Sequence, residues 1–474
     1  MIRGMRARFL FVAAFLFLSL GLTASQSVAP RPNIVFILAD DLGYADVGFN
    51  GGKEIATPRL DALAASGVRL EHHYVQPVCS PTRAAFLTGR YPMRHGLQLG
   101  VVRPWAQYGL PLEERTLAQA LKEAGYATAI VGKWHLGHFD PAYLPTRRGF
   151  DVQYGHYNGA IDYFTHERDG GHDWHRQDRE SRDEGYATHL MTREAIAFVN
   201  AQSAKRPFFL HVAYNAVHAP HQAPDSYKAP YARLPEPRRT YAGMLAAMDE
   251  GIGQILDALE KKGLRNNTLV VFSSDNGGPA PGKVTDNGLL RAGKTTLYEG
   301  GVRGAACVSW PGRIKGGGTV TQPLHVVDWY PTLLKLAGAK LDQPLPIDGG
   351  DAWGTLTRNG PSPHTEILIN AAPGSGAIRA GQWKLIINAA NNNGELNQRE
   401  GRGGTLAAPS IELFDLDSDP AERQNLAQAN PEKVKELRAR YDRLAAQAVP
   451  PKVKPRDPEF KVPRVWGEAD TPKR

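Results

Sequence analysis

The chain has 474 residues, 42% apolar and 22% charged, with 49 glycines and 35 prolines that follow no fixed period. That excludes wholesale disorder and a collagen-like fibre, and it sets the scale of a large core with room for an appended domain. The formal charge of +8 falls to about +5 without Arg3, Arg6 and Arg8; no Lys/Arg block tracks a nucleic-acid backbone, so no nucleic-acid partner is expected, and the mild excess suits an anionic substrate.

Those three arginines precede the apolar run Phe9 to Leu22, and the small residues Thr23, Ala24 and Ser25 follow it. This order reads as a secretory signal peptide over residues 1–27, with an N-terminal membrane anchor as the alternative. The expected location is therefore outside the cytoplasm, periplasmic or secreted, without stable membrane insertion after cleavage. Two cysteines, Cys79 and Cys307, cannot make a disulfide scaffold, so stability must come from the core.

Asn33 to Ala39 is a continuous apolar run, as expected of a parallel strand covered on both faces. Thr57-Pro58 opens a short helix closed by Gly67, and a second helix is expected from about Pro81 to Gly89. A third spans Thr116 to Gly125, followed by a strand over Ala127–Val131. Tyr186–Gln202 reads as a helix, Pro207–Ala213 as a strand and Tyr241–Lys262 as an amphipathic helix. Leu269–Ser273 and the segment around Cys307 read as further strands. Helix alternating with buried strand makes residues 28–338 an α/β domain built on a large, mostly parallel sheet flanked by helices. A Pro/Gly/Asp-rich linker is expected at 339–363 and a smaller C-terminal α+β domain at 364–449. It contains strands near 366–369, 377–379, 383–387 and 412–416, an exposed loop over Asn388–Gly404, and a helix over Glu432–Gln447. Residues 450–474 form a Pro-rich tail that wraps the surface or stays mobile.

Open α/β sheets bind ligands beyond the carboxyl ends of their strands. Asp40-Asp41 and Asp275-Asn276 sit at two such ends. Three carboxylates and an amide oxygen suit a hard cation, although Asp and Asn are also ordinary strand-end turn residues. Cys79 lies just ahead of a helix start with Arg83 one turn on. This is the setting of an anionic nucleophile, or else of a buried structural thiol.

The run Cys79-Ser-Pro-Thr-Arg83 followed by Leu87-Thr-Gly-Arg90 resembles the signature of type I, formylglycine-dependent sulfatases. Ala39–Gly43, Gly132–Gly137, Pro145–Asp151, Ser274–Gly278, Leu297–Arg303 and Leu413–Glu422 are similar to further blocks of that family, within its arylsulfatase B (N-acetylgalactosamine-4-sulfatase-like) group. The resemblance implies an alkaline-phosphatase-like fold and hydrolysis of sulfate monoesters. It implies that Cys79 is converted to 3-oxoalanine (formylglycine) by a formylglycine-generating enzyme, and that one Ca2+ per chain is bound by Asp40, Asp41, Asp275, Asn276 and residue 79. By the same resemblance Arg83, Lys133 and His135 hold residue 79, Asp275 helps to activate it, and His218 and Lys294 face the sulfate and the ester oxygen. His221 and Arg291 are the neighbouring rivals for those last two roles. His72, His73, His95, His138 and His156 are read as loop or rim residues, and the segments Gln98–Trp105 and Tyr157–Arg168 as rim loops.

The implied substrate is a sulfated carbohydrate, such as galactosamine 4-sulfate or another galactose-based glycan, or an aryl sulfate. The cysteines of the eukaryotic relatives' disulfides are missing, which favours a bacterial enzyme. Two rival readings are a phosphonate or phosphodiester hydrolase of the same superfamily and a non-catalytic glycan binder with Cys79 unoxidised.

Overall fold

The computed structural model describes residues 31–390, 396–401 and 407–468. The expected leader and parts of the Asn388–Gly404 loop and of the tail lie outside the described residues. In chain order the main elements are β1 (Asn33–Ala39), α1 (Pro58–Ala65), β2 (Val68–Leu70), α2 (Cys79–Thr88), α3 (Leu117–Glu123), β3 (Ala127–Lys133) and β4 (Val152–His156). Then come α4 (Ala187–Ala201), β5 (Phe208–Ala213), α5 (Arg238–Lys261), β6 (Thr268–Ser274), β7 (Ala306–Ser309), β8 (Gly318–Val320) and α6 (Trp329–Leu336). The C-terminal part holds β9 (Ile367–Ala372), β10 (Ser375–Ala380), β11 (Trp383–Ile387), β12 (Ile411–Asp415) and α7 (Pro431–Ala445).

The large sheet has ten strands in the order β8-β2-β7-β6-β1-β5-β3-β4, extended by two short strands at His175–Arg176 and Arg179–Glu180. β1 is central and runs parallel to β5 and β6, while β3 and β4 continue the parallel set beyond β5. Because side chains alternate along a strand, β1 feeds two cores. Ile34, Phe36 and Leu38 pack with α2, α3 and α6, whereas Val35, Ile37 and Ala39 pack with α1, α4 and α5. Both faces are covered, which is why β1 is apolar throughout rather than alternating.

α5 buries Met244, Met248, Ile252, Ile255 and Leu259 along one stripe, the period read from the sequence. It begins at Arg238 rather than Tyr241, because Pro237 sets the start and Arg238 turns inward to pair with Asp46 at 2.6 Å. Ile252 is fully buried, so Ile252→Val should cost about 0.5–1.5 kcal/mol in urea unfolding, the range for one lost methyl group.

Three features differ from the sequence reading. α6 was not anticipated: Trp329, Tyr330, Pro331, Thr332, Leu333 and Leu334 are all buried, so no polar face marks its period. The polar hairpin strands between Glu167 and Glu180 likewise lack an apolar alternation. The 339–363 segment carries the short helix Trp353–Arg358, whose Leu356 joins the core.

β9 to β12 form an antiparallel sheet in sequential order. A buried charge cluster ties it to the rest: Lys384 of β11 meets Glu299 at 2.9 Å and Glu422 at 2.8 Å, and Arg379 of β10 donates to Tyr74, whose hydroxyl donates to Glu299. The tail lies along the surface toward the Glu167–His172 hairpin. The Lys452 amide donates to Gly96, His172 to Arg464, and Trp466 to His172. Among the described residues no helix is long and apolar enough to cross a membrane.

Candidate functional site

Four parallel strands deliver the candidate residues to one edge of the sheet. β1 runs directly into Asp40 and Asp41, β6 into Asp275 and Asn276, β3 ends at Lys133 just before His135, and β5 leads to His218. α2 starts at Cys79 itself, two residues earlier than expected, and its whole length is buried. Its cap, Val78, offers no side-chain acceptor, so the first-turn N–H groups remain at the helix end beside the site.

The contacts form one connected network. The Cys79 thiol donates to Asp40 Oδ1 (3.3 Å), and Asp40 Oδ2 accepts from the buried Lys133 ammonium. Arg83 bridges Asp275 Oδ2 (2.9 Å) and Asp40 Oδ2 (3.5 Å), and its Nη1 donates to the Lys133 carbonyl. Lys294 Nζ donates to both Asp41 oxygens at 2.6 and 2.8 Å, and Asn276 Nδ2 donates to Asp41 Oδ1 at 2.8 Å. His218 Nε2 lies 3.6 Å from Asp41 Oδ2, and its Nδ1 bonds the Ala219 carbonyl. His135 Nε2 bonds the Val102 carbonyl (3.0 Å), while its Nδ1 is buried without a partner among the described residues. Ser80 joins the two segments, donating to the His135 carbonyl and accepting from the Val102 amide.

Backbone strain collects here too. Asp41 (φ 64°), His135 (φ 59°), Ala292 (φ 60°) and Thr295 (φ 76°) are all left-handed. For a β-branched residue such as Thr295 that is a costly conformation, held by its amide's bond to the Pro77 carbonyl. It sets the loop from which Lys294 reaches Asp41.

The electrostatics bear on the two readings of the Cys79 thiol. The Cys79 thiol is pushed well up, first by burial and then by Asp275 and Asp40, so it is not the anionic thiol that its helix-start position suggested. Burial and the neighbouring Asp40 push Asp275 up to about 6. Burial works against ionising Asp41 as well, yet Lys294 and His218 hold its carboxyl well below the usual range. Burial and Lys294 push His218 down to about 3, and burial with Lys133 and Arg83 lowers His135 strongly.

The site fits a hard dication. Asp40, Asp41, Cys79 and His218 offer ligand atoms that all lie within 4.8 Å of one another. Asn276 Oδ1 is buried and meets no donor among the described residues, an acceptor oxygen left free beside those carboxylates. Three carboxylates balance Arg83, Lys133 and Lys294, so an added dication would leave the pocket positive and ready for an anion.

Above this floor opens a cavity of about 190 Å³ lined by Cys79, His135, His218, Lys294 and also Arg103 and Arg168. His221 packs against Tyr241 instead, and Arg291 lies over Tyr298 while bonding the Glu422 carbonyl. The two arginines of the rim come from the segments expected to form it, but Leu396, also on the wall, comes from the stretch read only as an exposed loop. Glu400 meets Arg103 through two contacts of 2.5 and 2.9 Å. Of the histidines read as loop or rim residues, His73, His95, His138 and His156 are buried. His73, for example, accepts from Trp329 Nε1 within the core.

A model of the sulfatase family matches residues 32–339. The chain belongs to the sulfatase family. This sulfatase is 39% identical to mouse arylsulfatase J over 94% of its own length and 81% of that protein. It is 36% identical to human arylsulfatase A, covering 89% of each chain. Among solved structures it is similar to Ps i-CgsB in complex with k-i-k-neocarrahexaose, with 33% identity, a TM-score of 0.80, and 90% of this chain and 95% of that one covered. It is thus a sulfuric ester hydrolase, with the large mixed sheet and small antiparallel C-terminal sheet of its structural neighbours.

Proposed function

We propose that this sulfatase releases sulfate from a galactose-based glycan of the N-acetylgalactosamine 4-sulfate kind, using residue 79 as 3-oxoalanine and a Ca2+ ion held by Asp40, Asp41, Asp275, Asn276 and residue 79. The observation that carries the proposal is the buried oxygen set around Cys79, with Asn276 Oδ1 unpartnered among the described residues, at the floor of a cavity walled by cations. The likeness to a structure solved with a neocarrahexaose supports a sugar chain as the substrate.

When bound, the ion would supply Lewis-acid neutralisation of the sulfate oxygens. Oxidised and hydrated, residue 79 would offer two hydroxyls on one carbon, one to attack sulfur and one to let sulfate go. The chain's own groups do the rest. Arg83 and Lys133 fix Asp275 and Asp40 in place, and Asp275 draws the proton from the attacking hydroxyl. Lys294 and His218, both on the cavity wall, face the departing oxygen, and one of them delivers its proton. His135 Nδ1, its lone pair unpartnered among the described residues, takes the proton of the second hydroxyl.

The general test is sulfate release from a panel of defined sulfated oligosaccharides. Faster turnover of phosphate diesters than of any sulfate ester would overturn the assignment, and so would an unoxidised thiol at residue 79 in an active preparation. The proton donor is separable by leaving group. Lys294→Ala or His218→Ala, whichever removes the acid, should slow alkyl sulfate hydrolysis about 100-fold or more while costing 4-nitrophenyl sulfate far less, because nitrophenolate leaves without a proton. Equal losses on both substrates in both variants would remove both residues from that role.

A further inference from the structure

A second cavity, of about 260 Å³, adjoins the catalytic one, and Pro104 lines both. Its walls include Trp105, Phe139, Phe460 and Trp466, with one cation, Lys461, and one carboxylate, Glu468. Phe139 is 43% exposed, an unusual position for a large apolar ring. Two arginines lie over the aromatics: Arg456 is 5.8 Å from the centre of the Trp105 ring and 5.3 Å from that of Phe460, and Arg103, itself paired with Glu400, is 6.0 Å from Trp105.

The two cavities also share a scaffold. Trp466 Nε1 donates to the Arg168 carbonyl at 2.8 Å, so the tail residue that floors the second cavity holds the hairpin whose arginine lines the first.

We propose that this cavity is a subsite for a neighbouring sugar of the same chain, one that carries its own sulfate or carboxylate, so that the enzyme takes oligosaccharides in preference to single sugars. This rests on the glycan sulfatase reading above. An aromatic ring gives the C–H face of a sugar an apolar surface, and Lys461 on the wall, with Arg456 over the Trp105 and Phe460 rings, matches an anionic substituent. Continuity through Pro104 puts that sugar next to the one being desulfated.

The test uses the full chain with Cys79→Ala, so that ligands are bound and not consumed. Calorimetric titration compares N-acetylgalactosamine 4-sulfate with a chondroitin 4-sulfate tetrasaccharide and a sulfated carrageenan hexasaccharide. At least one oligosaccharide should bind about tenfold or more tighter than the monosaccharide. Phe139→Ala and Lys461→Ala, each in that background, should each remove most of that gain without weakening the monosaccharide. Equal affinity for long and short ligands, or a loss in the variants that falls equally on both, would overturn the subsite. In parallel, turnover of 4-nitrophenyl sulfate by the oxidised parent reads the catalytic assignment alone. Its absence would sink that assignment whatever the binding shows, while normal turnover with no gain for longer ligands would sink only the subsite.

Discussion

Replacing Cys79 with serine should leave a folded protein that consumes one substrate molecule per chain and then stops. Serine fits the space of the thiol and can keep its contact to Asp40 Oδ1. It carries a single hydroxyl, so attack on sulfur leaves a serine sulfate with no second oxygen to expel it. Steady-state kcat should fall on the order of 10⁴-fold or more, with one SO₃ group retained per chain in intact-mass spectra. Cys79→Ala should lose turnover equally and retain nothing. Sustained turnover by the serine variant would show that release does not need a second hydroxyl on residue 79, and the proposed chemistry would fail.

Asp40→Ala should damage both activity and stability. Asp40 is the carboxylate that faces the Lys133 ammonium, and both side chains are fully buried. Removing it leaves a cation sealed in the core, which costs about 3–5 kcal/mol when a buried pair is broken from one side. The same change deletes a ligand oxygen from the set formed with Asp41 and Cys79. In the parent protein, chelation should abolish turnover, and Ca2+ at about 100 times its Kd should raise stability by about 2.7 kcal/mol. The variant should show a lower melting temperature in chelator and no further rise on adding Ca2+. An unchanged Ca2+ response in Asp40→Ala would place the ion elsewhere.

Much of the floor of the site could be read from the chain because its residues sit where local pattern is strongest. Asp40-Asp41 and Asp275-Asn276 terminate continuous apolar strands, and parallel topology brings such ends together without further instruction. Cys79 and Arg83 lie in one short run at a helix start. The rim was only partly legible: Arg103 and Arg168 lie in the loops expected there, but Leu396 and Trp466 reach the cavities from a loop and a tail that have no period. The chain alone left Cys79 open between an anionic nucleophile and a buried thiol, because helix position predicts an N-terminal field but not the two carboxylates that topology places opposite. α6 escaped notice because it is short and its first six residues are all buried, leaving Lys335 alone to mark a polar side.

The sealing of Cys79, only 1% exposed inside a helix with no exposed residue, has a consequence for biogenesis. Under the oxidation proposed for residue 79, another macromolecule would have to grip that stretch before the sheet closes over it, so oxidation and collapse of the polypeptide would run as competing clocks. A nascent polypeptide that collapsed first would be locked out of that maturation, and slowing its early folding should then increase the yield of active product.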